Sequence, residues 1–436
     1  MSRFALLLSV AFACPAVADD WPQYLGPKRD GVWHETGIVE KFPAGGPKKV
    51  WTMPVSGGYA GPAVADGKVF VTDRVTDPAE AERVFAFDAN SGKELWKYEY
   101  PVKYRVQYAV GPRATPTVDG DRVYALGAMG ELTCLNTATG KKVWAKNYVK
   151  DYDARTPIWG FAAAPLIDGD SLICLVGGKG GKVVVAFDKK TGKERWASQT
   201  LDETDCGYCP PVIYTFGKVR TLVIWHGAAV VGLNPGTGER LWKQDFVSRY
   251  ALTAPMPVQS GDTLFLTAFY NGPLMLKING TTTPEVLWKG NGRSEKPEQS
   301  DKLHSIIPTP IIKDGHIYGV GSYGELRCLK LDTGERVWAT RKPTTGTPTE
   351  EGKPVRWANA FLTVQGDRFF LFNDRGELII AKLNPKGYEE IDRAKLLEPT
   401  TKGGGAGPVV WVPPAFAGKK VYVRNDKELV CYDLAK

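Results

Sequence analysis

The residues most able to do chemistry are few. Cys206-Gly207-Tyr208-Cys209 is a lone C-x-x-C, a spacing that serves a local disulfide, a redox pair or half a metal site. The four histidines, His34, His226, His304 and His316, stand in unlike contexts. With no second C-x-x-C they do not compose a zinc centre, and no H-E-x-x-H or nucleophile-elbow pattern surrounds them. The cysteine pair therefore reads as a local structural disulfide. His316, in KDGHIYGV, sits on a strand and faces solvent or a neighbouring unit. GGKGGK (177–182) and GGGAG (403–407) lack the strand-to-helix setting and the G-K-[ST] ending of a phosphate cradle, so they are loops. No metal site and no catalytic constellation emerges.

What positions the remaining candidates is a repeat. AFDANSGKELW (86–96), CLNTATGKKVW (134–144), AFDKKTGKERW (186–196), GLNPGTGERLW (232–242) and CLKLDTGERVW (328–338) share one pattern. KINGTTTPEVLW (277–288) is a sixth copy with one extra residue and no turn glycine. Trp51, Trp96, Trp144, Trp196, Trp242, Trp288 and Trp338 are spaced by 45, 48, 52, 46, 46 and 50 residues, the period of a four-stranded propeller blade. Upstream halves such as GPAVADGKVFVTD from Gly61 and ATPTVDGDRVYAL from Ala114 carry hairpin turns at Asp-Gly or Gly-Asp, where glycine supplies positive φ. Each unit thus reads strand A, turn, strand B, loop, strand C, T-G turn, and strand D ending in Trp.

The count closes on itself. VWTMPV (50–55) is an orphan outer strand, and VVWVPPAFAGKKVYVRNDKELVCYDL (409–434) supplies A, B and C and stops. Between Trp338 and Val409 lies a further unit without the Trp. The predicted fold is all-β, an eight-bladed propeller over 50–436 whose N-terminal outer strand completes the C-terminal blade and removes free sheet edges. The tryptophans are expected to dock blade against blade, an exposed aromatic belt being the alternative. Cys134, Cys328 and Cys431 share one strand C position, Cys174 lies on a strand B, and all four read as small buried apolar residues.

In such a ring the residues before each strand A gather at one mouth of the channel: Tyr59, Arg113, Trp159, Tyr208, Tyr250, His304, Trp357 and Trp411. Rings with one guanidinium and one imidazole suit a flat, sugar-like or extended peptide ligand better than they suit hydrolysis. Arg113 is the candidate partner of an anionic group through a bidentate fork. The plainer reading is that the rings pack together and plug the channel.

Residues 1–18, MSRFALLLSVAFACPAVA, read as an export signal cleaved after Ala18, with lipidation at Cys14 as the rival. A lead segment spans 19–49. The remaining chain offers no stretch of about 20 apolar residues and is expected to be soluble, periplasmic or secreted, and monomeric. With 56 Lys+Arg against 48 Asp+Glu the net charge is +8, thinly spread, which argues against nucleic-acid binding. At 43% hydrophobic and 24% charged residues, disorder, collagen and coiled coil are excluded.

The pattern A-x-D-x-x-T-G-x-x-x-W resembles the docking motif of pyrroloquinoline quinone (PQQ)-type propeller repeats, shared by quinoprotein dehydrogenases and the BamB-type outer-membrane assembly scaffold. WPQYLGPKRDG (21–31) is similar to the lead segment of secreted propellers of planctomycete-type bacteria. The resemblance implies the fold strongly and the function weakly. The dehydrogenase branch implies an adjacent Cys-Cys disulfide over the quinone, a Trp beneath it, and a Glu, Asn and Asp set around Ca²⁺. No Cys-Cys dipeptide occurs here, and no ligand or catalytic residue is carried over. The expectation is a non-catalytic binding or scaffold protein of the cell envelope, with an envelope protein partner or a small-molecule or carbohydrate ligand. BamB-type proteins are normally lipoproteins, from which this signal departs. A PQQ- and Ca²⁺-dependent oxidoreductase is the alternative, and a carbohydrate-binding propeller a third reading.

Overall fold

A computed structural model describes residues 19–198, 206–291, 294–403 and 407–436; the expected signal, with Cys14, lies outside the described residues. Eight four-stranded antiparallel sheets follow one another around a central channel. The first blade runs Ala63–Ala65, Lys68–Val75, Ala81–Asp88 and Glu94–Pro101 from the channel outward. The next six blades occupy 117–147, 166–198, 212–245, 258–289, 311–340 and 360–395. The eighth is built from Ala415–Ala417, Lys420–Arg424 and Glu428–Asp433, and Lys49–Pro54 pairs antiparallel with the last of these, Trp51 opposite Cys431. The chain is a closed eight-bladed propeller.

The T-G-x-x-x-W spacing has a local cause. In blades 1 to 7 the C and D strands are joined across a register shift at one equivalent position, for example Ala86/Phe87, Cys134/Leu135 and Cys328/Leu329. That bulge turns the residue before the Trp outward, leaving Leu95 and Val143 exposed, and lays the Trp over its partner on strand C. The partners are mostly small: Ala86, Cys134, Ala186, Gly232, Cys328 and Cys431. Three of the matched cysteines thus lie beneath indoles, and all are buried.

Each indole then reaches the next blade. Nε1 of Trp51, Trp96, Trp144, Trp196, Trp288 and Trp338 donates to the carbonyls of Ala89, Thr137, Lys189, Pro235, Leu331 and Asn384 at 2.8–3.2 Å. The turn glycine lies against the ring: a Cβ on Gly140 would come within 2.7 Å of Trp96, and one on Gly92 within 2.8 Å of Trp51. Both glycines also have positive φ, 68° and 73°, so this position excludes a side chain twice over. Trp242 is the exception. It faces the blade whose T-G turn is replaced, and its Nε1 is buried without a partner.

The lead segment closes the opposite face of the ring. Trp21 pairs with Val64 of blade 1 and Val32 with Val364 of blade 7, while Val118 N–H of blade 2 donates to Pro22 O at 2.8 Å. Arg29, 3% exposed, donates to Pro165 O and, at 2.9 Å, to Pro211 O, tying the entrances of blades 3 and 4 together. Burial lowers its pKa to about 10. Among the described residues no helix is long and apolar enough to cross a membrane.

These contacts separate two substitutions that look alike in sequence. Trp96→Phe strands the Thr137 carbonyl and is expected to cost about 1–3 kcal/mol; Trp242→Phe removes a buried N–H that already lacks an acceptor and should cost less. Urea denaturation of the two variants against the parent measures the difference, and equal losses would contradict the docking account.

Candidate functional site

Because every strand A starts at the same face, the loops entering blades converge there on a cavity of about 220 Å³. Tyr59, Arg113, Trp159, Tyr208, Trp357 and Trp411 line it. Tyr250 does not: it lies outside, 47% exposed, and packs edge-on against Tyr270, which lines the wall instead. His304 is also absent from the wall. It is fully buried, with Nδ1 at 3.0 Å from Phe269 O, and Ile306 and Ile307 take its place. Burial lowers the His304 pKa. Tyr108, Tyr270 and Tyr24 complete the wall and were not among the sequence-derived candidates. Tyr270 comes from the turn between strands B and C of its blade, which lies on the same face as the strand A entrances; that topology is the signal that finds it.

The expected disulfide is absent. Cys206 and Cys209 are separate buried thiols. Cys206 packs with the blade 3 core beside Gly177, and Cys209 with the core between blades 4 and 5. Two side chains committed to different cores do not meet across a two-residue spacing. Burial pushes the Cys209 thiol far up, which makes it a poor nucleophile.

Arg113 is held, but not by a carboxylate. Its guanidinium donates to the carbonyls of Gly111, Gln107 and Tyr108, the last two at 2.9 and 2.6 Å, and lies 5.2 Å from the Tyr59 ring centroid. Three of its five N–H groups are thereby engaged by its own loop. Glu82 contributes to its field, yet the Glu82 oxygens are taken by Tyr100 OH, Tyr104 OH and Ala128 N–H. Burial lowers the Arg113 pKa and raises that of Glu82.

The rings are held at conformational cost. Trp357 has φ 72° and Tyr108 φ 52°, and a bulky residue in the left-handed region costs of order 1–3 kcal/mol. Trp357 is fixed by its N–H to Ser322 O at 2.9 Å and by Arg356, 4.8 Å from its ring centroid and paired with Glu295 at 2.8 Å. Behind it Asn359 Nδ2 donates to Trp357 O at 3.0 Å, and Asn359 N–H to Asp374 Oδ2 at 3.3 Å.

The wall does not fit a quinone–calcium pair. Ca²⁺ takes roughly six to eight oxygen ligands, usually including carboxylates, whereas this wall consists of aromatic, aliphatic and proline side chains with Thr115 and Arg113. Among the described residues no three His, Cys, Asp or Glu side chains converge on a common point. A wider depression on blade 6, about 780 Å³, is lined by Glu325, Arg327 and Arg341, whose charges pair with one another.

Burial pushes the Asp374 carboxyl up to about 7, against the opposing Asn359 N–H and Arg375. A raised acid pKa means the folded chain keeps a proton that the unfolded chain releases, so this stabilisation is full below about pH 4 and is lost as pH rises to about 7. Asp374→Asn should flatten the pH dependence of the urea midpoint over that window and gain up to roughly 4 kcal/mol above it. An unchanged slope would show that Asp374 does not carry the effect.

The repeat, the ring and the channel have relatives. The family model described as outer membrane protein assembly factor BamB matches residues 42–207, 80–340 and 226–436. Quinoprotein alcohol dehydrogenase PedH of Pseudomonas putida is 29% identical over 233 residues, 52% of this chain but only 33% of that protein, so the match spans a third of its length. Outer membrane protein assembly factor BamB of Escherichia coli is 23% identical over 352 residues, 70% of this chain and 83% of the other. The crystal structure of BamB from Moraxella catarrhalis superposes with a TM-score of 0.57 at 14% identity, covering 88% of this chain and 97% of that one. With its whole ring matched by that model, the chain belongs to the PQQ-like propeller family described as outer membrane protein assembly factor BamB.

Proposed function

We propose that this chain is an exported, non-catalytic binding or scaffold protein of the cell envelope that holds a ligand in its one-ended aromatic channel while the ring presents its outer surfaces to an envelope protein partner. The observation that carries this reading is the chemistry of the wall. Aromatic faces bind by stacking and area, and Arg113, the charged group among the described residues of the wall, is a guanidinium that does not exchange protons at ordinary pH. The apolar export signal over residues 1–18 supports a location outside the cytoplasm. The lead segment at the far face supports binding over passage, since the channel has one open mouth.

A second reading, a PQQ-dependent oxidoreductase, draws support from the similarity to PedH. One experiment separates the two. The purified protein is incubated with PQQ and Ca²⁺, desalted, and assayed by absorbance and by dye reduction with alcohols and sugars. The expected result is no dye reduction, whether or not quinone is retained; dye reduction with an alcohol or a sugar overturns the binding reading.

A further inference from the structure

We infer that the channel takes a ring-bearing carboxylate, its acid group received at the corner formed by Arg113, Tyr59 and Trp411 and its ring laid against the neighbouring aromatic faces. This rests on the reading of the channel as a ligand site and names the class of ligand.

Three observations meet at that corner. Trp411 is 9% exposed and its Nε1 is buried with no hydrogen-bond partner among the described residues. The Tyr59 hydroxyl is likewise buried and unpartnered, and burial raises its pKa, so it stays a neutral donor. Both residues line the cavity. A buried polar group without a partner is costly, and two such groups on one cavity wall are satisfied by a ligand that accepts hydrogen bonds.

The third observation is charge. Arg113 has two N–H groups beyond the three given to carbonyls, and among the described residues no carboxylate forms an ion pair with it. It adjoins Tyr59 through its ring and Tyr108 through a hydrogen bond, and Tyr108 packs 6.1 Å from Trp411. A half-buried cation without a counter-ion selects an anion over a neutral acceptor. On either side of that corner Trp159 and Tyr208, 5.5 Å apart at the entrances of blades 3 and 4, and Trp357 at the entrance of blade 7 supply ring faces. No carboxylate lies on the lining to repel the acid.

A free aromatic acid and the C-terminus of a peptide ending in an aromatic residue share this chemistry. The test therefore uses indole-3-acetate and indole-3-acetamide, together with Gly-Gly-Trp and its C-terminal amide, titrated calorimetrically into the full chain. At least one acid should bind roughly 10–100-fold more tightly than its amide, and which acid does so identifies the source. Arg113→Gln should erase the preference for acid over amide. Tyr59→Phe, which removes a single oxygen, should weaken the acid by roughly tenfold with the denaturation midpoint unchanged or raised. Equal binding of acid and amide, or a preference that survives Arg113→Gln, overturns the ligand class and leaves the channel as a ligand site. Failure of every compound to bind overturns both.

Discussion

The whole architecture depends on an indole of one blade seated on the C–D turn of the next. The contact joins three requirements in one motif: a glycine with positive φ, so that the ring lies flat on the backbone; a carbonyl three residues earlier to accept Nε1–H; and a small strand C residue beneath the ring in its own blade. None of these works alone. A Cβ at the glycine would displace the indole, and a displaced indole would leave both its N–H and the carbonyl unpaired in an apolar boundary. Trp51 makes the same contact to Ala89 of blade 1 while its own strand pairs with Glu428–Asp433 of blade 8, so the contact that joins neighbours also seals the circle.

Closure has a consequence for the centre. Eight inner strands that start on one face bring eight loop ends together, while their A–B turns gather on the other face, where the lead segment lies across them. Arg29 is the fastener: a buried guanidinium that donates to the entrance carbonyls of two adjacent blades. The floor thus made includes Tyr24, whose ring enters the cavity wall. Left-handed backbone occurs at both ends of the channel: Leu25 and Arg29 hold positive φ in the lead segment. Tyr108, Tyr250, Ala251 and Trp357 all hold positive φ at the open mouth, whereas Asp66, Asp314 and Lys419 hold it in ordinary hairpin turns on the other side.

The ring was legible in the sequence because the docking contact constrains residue types at fixed offsets. The eight blades, the split closing blade and the matched cysteines under the indoles all follow from it. The mouth was half legible. Strand A entrances locate six wall residues correctly, but Tyr250 and Tyr270 compete for one place, and the winner comes from a B–C turn whose length varies between blades. His304 was misread because the entrance to its blade is longer: Ile306 and Ile307, two and three residues on, reach the wall, and the His304 ring turns toward Phe269 O and into the core. The C-x-x-C failed because spacing reports proximity along the chain, while packing sent the two thiols into different cores. That Arg113 gives three donors to its own loop is invisible without coordinates.

The same division explains why likeness to other propellers does not decide the function. Turn glycines and docking tryptophans are fixed by ring geometry whatever the ring contains. PedH and this chain are 29% identical over 233 residues, a span several blades long. The cavity wall is drawn from D–A and B–C loops, which no docking requirement restrains. Substrate chemistry must therefore be read from the wall, and this wall offers rings, two unpartnered donors and one guanidinium. Such a set stabilises an anion at rest.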